Sequence, residues 1–378
     1  MWVYIVNVAL IMYWWFLYTV NHGIKLDRFY AASSNIKQTL IIPQDHKKGN
    51  FFTSILILLP FIQVYMILAL KNINVGTDTV PYLTGFHEAT FVPWSTIFDL
   101  AVKNPLYNFE RGFIFITKII TTFTDNFKVY NAIMGLIMIV PVYKFIKKHS
   151  SMPFLSVLIF ITFGFMNFYM SGMRQAIALS IILFSFNFIV DRKIWKFIAT
   201  IVIASLFHVS AIVFFPAYFL ISFTFTPALA ITYIVSLGLI YILRFNIIEF
   251  VTQYFYSGSS ITNTGAYTLM LIVIVSFIAG LLFYKKAVTL NFSNKIVYNL
   301  IAVAGALMIF NTTSNIALRV ANYYYIFMLL FIPAVLKAID STIIKNIATV
   351  VVVLFTLTYY FKSGIYYLQG FPYSFYWE

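Results

Sequence analysis

Ten stretches of roughly 17–20 mostly apolar residues, each long enough to cross the hydrocarbon of a bilayer as a helix, most limit what this chain can fold into. They fall at 2–20, 51–70, 127–143, 153–169, 174–190, 227–243, 267–284, 296–312, 320–336 and 343–361. Hydrophobic residues make up 62% of the 378 and charged residues 10%, where soluble chains carry about 25% charged. So few polar groups cannot clothe a surface in water, so lipid is the expected solvent. The net charge of +14 would suit nucleic acid, but it is parcelled into short clusters between apolar runs, which is the pattern of cytoplasmic loops. No nucleic-acid partner is therefore expected. The absence of cysteine excludes disulfides and thiolate chemistry. The stretch 2–20 lacks a basic leader and a small-residue cleavage site, so it reads as a retained span.

The basic clusters set the expected topology. Lys25, Arg28, Lys37, Lys47 and Lys48 form the first; Lys144, Lys147 and Lys148 the second; Arg192, Lys193 and Lys196 the third. Lys285, Lys286 and Lys295, and then Lys337 and Lys345, complete the set. Placing all of them in the cytoplasm puts both termini outside. Two segments then break parity. The segment 111–124 is short and polar through Thr117, Lys118, Thr121 and Thr122, and is expected to lie as an interfacial or re-entrant helix on the outer face. The segment 197–222 is long for one span and short for two. It is expected to fold as two short helices or a re-entrant pair, with His208 and Ser210 near the outer turn; one tilted span is the competing reading. The expected fold is thus all-α: a single transmembrane domain over 1–378, a polytopic bundle of roughly 10–12 membrane helices. It carries a long extracytoplasmic loop with its interfacial helix over 71–126 and smaller outer segments at 171–174, 244–266, 311–319 and 362–378.

Arginine and lysine are sorted unequally by this topology. Inside, lysine dominates and only Arg28 and Arg192 join it. Outside stand Arg111, Arg174, Arg244 and Arg319, with Lys71, Lys103, Lys118, Lys128 and Lys362. The arginine fork grips phosphate with two parallel hydrogen bonds, so outer arginines point to an anionic, phosphate-bearing substrate; snorkelling to headgroups is the plainer alternative. Arg174 and Arg319 each abut a long apolar run, where a charge is costly and commonly functional. His22, His46, His87 and His149 lie in loops, whereas His208 is embedded in apolar sequence, as a structural hydrogen-bond partner or as a base. Asp78 and Glu110 bracket the first outer loop, and Glu110 has Arg111 beside it as a local ion-pair partner. No zinc, Walker or dinucleotide motif and no nucleophile elbow occurs, which argues against ATP-driven transport and metallohydrolase chemistry.

Five strings in order carry a resemblance. They are Val75-Gly76-Thr77-Asp78-Thr79 with Tyr82; Glu110-Arg111-Gly112-Phe113; Ser171-Gly172-Met173-Arg174-Gln175-Ala176-Ile177-Ala178; Phe207-His208-Val209-Ser210-Ala211; and Leu318-Arg319 with Tyr323 to Pro333. Together, over about 50–335, they resemble the EpsG family of exopolysaccharide and capsule polymerases, relatives of Wzy-type polymerases with a GT-C-like fold. The resemblance implies a glycosyltransferase of the bacterial plasma membrane. It would transfer a growing glycan from undecaprenyl diphosphate to a hydroxyl of another lipid-linked oligosaccharide unit at the outer leaflet. Inversion without metal or other cofactor is implied, as are chain-length regulator and flippase proteins as partners.

On that basis Arg174 and Arg319, with Arg111 and Arg244, are candidates to bind the diphosphate. His208, Asp78 and Glu110 are candidates for the base. Thr77, Tyr82, Gln175, Ser210 and Tyr323 are candidates for substrate contacts. Two other functions share parts of this pattern: a transporter or flippase of a lipid-linked or anionic solute, and a ligase that attaches finished glycan to another acceptor.

Overall fold

The computed structural model describes residues 1–34, 51–99, 109–255 and 266–378. Lys37, Lys47, Lys48 and Lys103 lie outside these residues, as do parts of the expected 71–126 and 244–266 outer segments. Every expected apolar stretch is helical. In chain order the α-helices are α1 (Trp2–Ser34), α2 (Phe51–Ala69), α3 (Thr79–Phe91), α4 (Trp94–Phe98), α5 (Arg111–Thr121), α6 (Phe127–His149), α7 (Pro153–Thr162), α8 (Phe165–Ser171) and α9 (Met173–Val190). They continue with α10 (Ile194–Ser205), α11 (Pro227–Phe255), α12 (Tyr267–Leu281), α13 (Tyr284–Leu290), α14 (Ser293–Phe310), α15 (Asn315–Tyr325), α16 (Met328–Lys337) and α17 (Thr342–Lys362).

Seven described helices are long and apolar enough to cross a membrane. The bent pairs α7–α8, α12–α13 and α15–α16, broken by 57°, 78° and 42°, raise this to 10 if each pair is one span. The chain is therefore a multi-pass membrane protein. Burial separates its layers: 67% of α9 and 61% of α14 lie inside the protein, against 6% of α11 and 11% of α17. The rim helices leave Ile231, Val235, Leu239, Ile347, Val350 and Leu354 exposed, a surface that only lipid or another apolar partner can cover.

Inside such a bundle, backbone groups freed at helix breaks need protein partners, because lipid offers none. Side chains from neighbouring helices supply them. Asn131 of α6 donates to the terminal carbonyls of α2 at Leu68 and Ala69, at 2.8 and 3.1 Å. Ser156 reaches Leu329 O at 2.6 Å, at the start of α16. Asn167 of α8 donates to Gly364, Ile365 and Tyr367 carbonyls and so fastens the C-terminal tail.

The two awkward segments fold as short elements. Segment 111–124 yields α5, which buries Phe113, Ile114, Thr117 and Ile120 and uses Lys118 to bond Ala89 O at the end of α3. Segment 197–222 breaks at His208, which is extended (φ −157°, ψ 115°) between α10 and a 3-10 helix over Val209–Ser222. The first outer loop departs from expectation, because α3 and α4 fill much of it. The helical signal there was thin: Pro81 in the first turn, and buried Thr79, Tyr82, Phe86 and Ala89 at helical spacing among polar residues.

Both chain ends reach one end of the bundle. Trp2 lies 5.9 Å from the Phe375 ring, Tyr4 bonds Gly370 O, and Lys71 pairs with Phe375 just beyond α2. Lysines of the later clusters lie at the opposite end, where Lys148 and His149 of α6 meet Asn187 of α9, and Lys286 pairs with Asp340.

Candidate active site

At the end of the bundle that holds both termini is a cavity of about 380 Å³, walled by parts of the chain far apart in sequence. The 75–79 turn brings Thr77 and Asp78; the α8–α9 junction brings Ser171, Arg174 and Gln175; the break after α10 brings His208; and α15 brings Arg319. Phe168 and the tail residues Tyr367 and Leu368 close it.

Local sequence explains each placement. Gly76 (φ +93°) is in the left-handed region, and a Cβ there would stand 2.9 Å from Met170 O. Glycine thus lets the turn lie on the end of α8, where Thr77 Oγ1 bonds Ser171 Oγ at 2.6 Å and Asp78 N donates to the same hydroxyl at 3.3 Å. Gly112 serves α5 in the same way. Its N–H donates to Leu206 O at 2.8 Å, and a Cβ would come within 2.7 Å of that oxygen. Such an approach docks the start of α5 against the break beyond α10, placing Glu110 beside His208.

Glu110 bridges Arg174 and His208. Its Oε2 accepts from Arg174 Nη1 at 2.5 Å and its Oε1 meets His208 Nδ1 at 2.8 Å. Burial disfavours the Glu110 carboxylate, but the His208 hydrogen bond and the Arg174 charge outweigh it, so its pKa lies below the usual value. An ionised carboxylate only accepts, so Nδ1 of His208 carries a proton, and in the neutral ring Nε2 is the acceptor. Arg174 also lies 4.9 Å over the Phe109 ring, and its buried Nε donates to no protein group, a donor that a ligand oxygen at this wall can satisfy. Arg319 is exposed, and among the described residues its guanidinium pairs with no carboxylate. Its backbone carbonyl accepts from Gln175 Nε2.

Of the residues expected at a site, the structure brings Thr77, Asp78, Tyr82, Arg174, Gln175, His208 and Arg319 to one cavity. Glu110 stands behind Arg174 and His208 and does not line the cavity; its neighbour Arg111 bonds the carbonyls of Ile97 and Asp99 instead of forming the expected local pair. Arg244 lies against its own helix, over Tyr241 and Phe245 at 4.0 and 4.6 Å, away from the cavity. Tyr323 is fully buried and bonded to Ser210 at 3.2 Å, adjoining the wall without lining it. Phe168, Tyr367 and Leu368 were not expected. The sequence signal for the tail was faint, a run of aromatics after the last span with no charge or motif to mark it.

Fold and cavity together define a multi-pass membrane protein with a cationic, histidine-bearing pocket at one end of its helical bundle. The chain belongs to the EpsG family, whose family model matches residues 54–375. No curated protein and no solved structure matches it.

Proposed function

We propose that the protein is a polysaccharide polymerase of the bacterial plasma membrane, with its cavity at the outer leaflet. Its substrates are two copies of an oligosaccharide unit, each carried on undecaprenyl diphosphate. The observation that carries this reading is the Arg174–Glu110–His208 bridge on a wall shared with Arg319, which joins an anion grip to an oriented base. EpsG membership supports the same class of reaction.

In this reaction Arg319 and the Nε of Arg174 hold the donor's diphosphate. An acceptor hydroxyl attacks the anomeric carbon from the face opposite the leaving group, so the new glycosidic bond forms with inversion as the carbon–oxygen bond to phosphate breaks. The diphosphate leaves with the bonding electrons, and the arginines stabilise the charge it gains. The acceptor's proton passes to His208 Nε2, whose orientation Glu110 maintains. Asp78, Thr77 and Gln175 present the acceptors and donors suited to sugar hydroxyls.

The test is the state of the glycan in a strain lacking the protein. A lost polymerase leaves single repeat units on lipid at the outer face. Units trapped inside would indicate a flippase, and long unattached chains would indicate a ligase; either outcome overturns the proposal.

A further inference from the structure

A second cavity of about 320 Å³ opens on the other face of the 75–79 turn. Thr79 lines it, while Thr77 and Asp78 line the first, so one turn of backbone separates the two. Two residues of chain span at most about 7 Å. The remaining wall comes from the end of α2, the start of α6 and the tail, through Lys71, Asn72, Lys128, Asn131 and Tyr376.

The charges of this cavity are unbalanced. Lys71 is buried (6% exposed), and its Nζ bonds Val75 O at 3.0 Å and Thr79 Oγ1 at 2.5 Å, both uncharged. Lys128 Nζ lies 4.3 Å over the Tyr376 ring. Among the described residues neither ammonium reaches a carboxylate within salt-bridge distance. Burial lowers the Lys71 pKa to about 7, with only partial relief from the charge of Asp78 across the turn. Holding a buried cation without a counter-ion is costly, and an anion in the cavity removes that cost. The neighbouring groups add amides and an aromatic face, the usual company of sugar hydroxyls and ring faces in a binding cleft.

We infer that this cavity is a second binding site, which takes the phosphate or carboxylate group of the acceptor saccharide while its reactive hydroxyl reaches across the turn into the first cavity. The assignment of the bound saccharide as the acceptor rests on the polymerase reading. The binding itself can be measured without any turnover, so failure of one is distinguishable from failure of the other.

The experiment uses the purified full chain in nanodiscs of zwitterionic lipid. Acetylation of Lys128 by a trace amine reagent is read by peptide mass spectrometry, with Lys362 as internal reference. The probes are trigalacturonate, inorganic pyrophosphate and a neutral trisaccharide. An acidic probe at ten times its Kd should slow acetylation of Lys128 about tenfold, as mass action requires, and leave Lys362 unchanged. Protection by trigalacturonate identifies a carboxylate ligand, and protection by pyrophosphate a phosphate; both support the site. The protection should persist in Arg319→Ala, and its loss there would move the anion to the first cavity and overturn the inference. So would the absence of protection by either acidic probe, or equal protection by the neutral trisaccharide. Protection by anionic-lipid nanodiscs without any saccharide would assign the charges to a headgroup and also overturn it.

Discussion

The two ends of the helical bundle use charge in opposite ways. At the lysine-rich end the ion pairs are single and exposed: Lys286 with Asp340 and Lys193 with Asp191 are about half-exposed or more on both sides. Such pairs are screened by water and contribute little, but the clusters suffice to orient a membrane protein. At the other end three charged or titratable groups are set by packing. Arg174, His208 and Glu110 are 24%, 16% and 19% exposed and joined in one network, with Gly112 at the close approach to Leu206 that brings Glu110 in. Charge that sets topology needs only to be present on the right side, whereas charge that does chemistry needs a geometry, and only the second end has one.

That contrast predicts graded consequences. The largest loss is expected for His208→Ala, about 10²–10⁴ in polymerisation rate at normal membrane levels, the usual contribution of a general base. Full activity in His208→Gln would reduce the residue to a structural hydrogen-bond partner.

Arg319→Ala should cost about 10²–10³, as removal of one donor to a developing anion does. Arg319→Lys should recover only part, since the ammonium lacks the planar fork. Unchanged turnover in Arg319→Ala would leave the cavity without its free guanidinium role.

Glu110→Gln should cost about 10–100-fold, the range for a group that orients a functional histidine without touching substrate. Glu110 has a depressed pKa, so its stabilising contribution is present above the unfolded value and is lost only as pH falls through the lower folded value. Stability lost through Glu110 should therefore appear only in acid, read as a falling thermal midpoint.

The smallest effect is expected at the opposite end. Lys286→Ala and Asp340→Ala break an exposed pair and should leave both rate and thermal midpoint within experimental error. A tenfold loss there would erase the contrast between the two ends.

Much of this division is legible in the sequence because membrane spans are written in composition. Twenty apolar residues between lysine clusters read the same whatever packs around them, so all ten stretches appear as helix, and the break at His208 was visible from length and parity. The 79–91 helix was not, because its buried face alternates with polar residues. Contacts that depend on the approach of distant segments were hidden as well. Nothing in Glu110-Arg111-Gly112 tells that the carboxylate turns from its neighbour to Arg174 and His208; the pairing follows from α5 docking on Leu206. Arg244 and Arg319 look alike in sequence, each near a helix end, and only the fold places one over its own helix and the other at a cavity.

The central claim is that the cavity polymerises lipid-linked units by an arginine-held diphosphate and a histidine base. Its most direct test is purified protein in liposomes with an undecaprenyl-diphosphate-linked repeat unit, resolved on a gel. The account predicts a ladder of lipid-linked products that rises by one repeat per step, with one free undecaprenyl diphosphate released for each new linkage, and no ladder from His208→Ala on the same timescale. A single unreacted band from folded wild-type protein, or an undiminished ladder from His208→Ala, would contradict it.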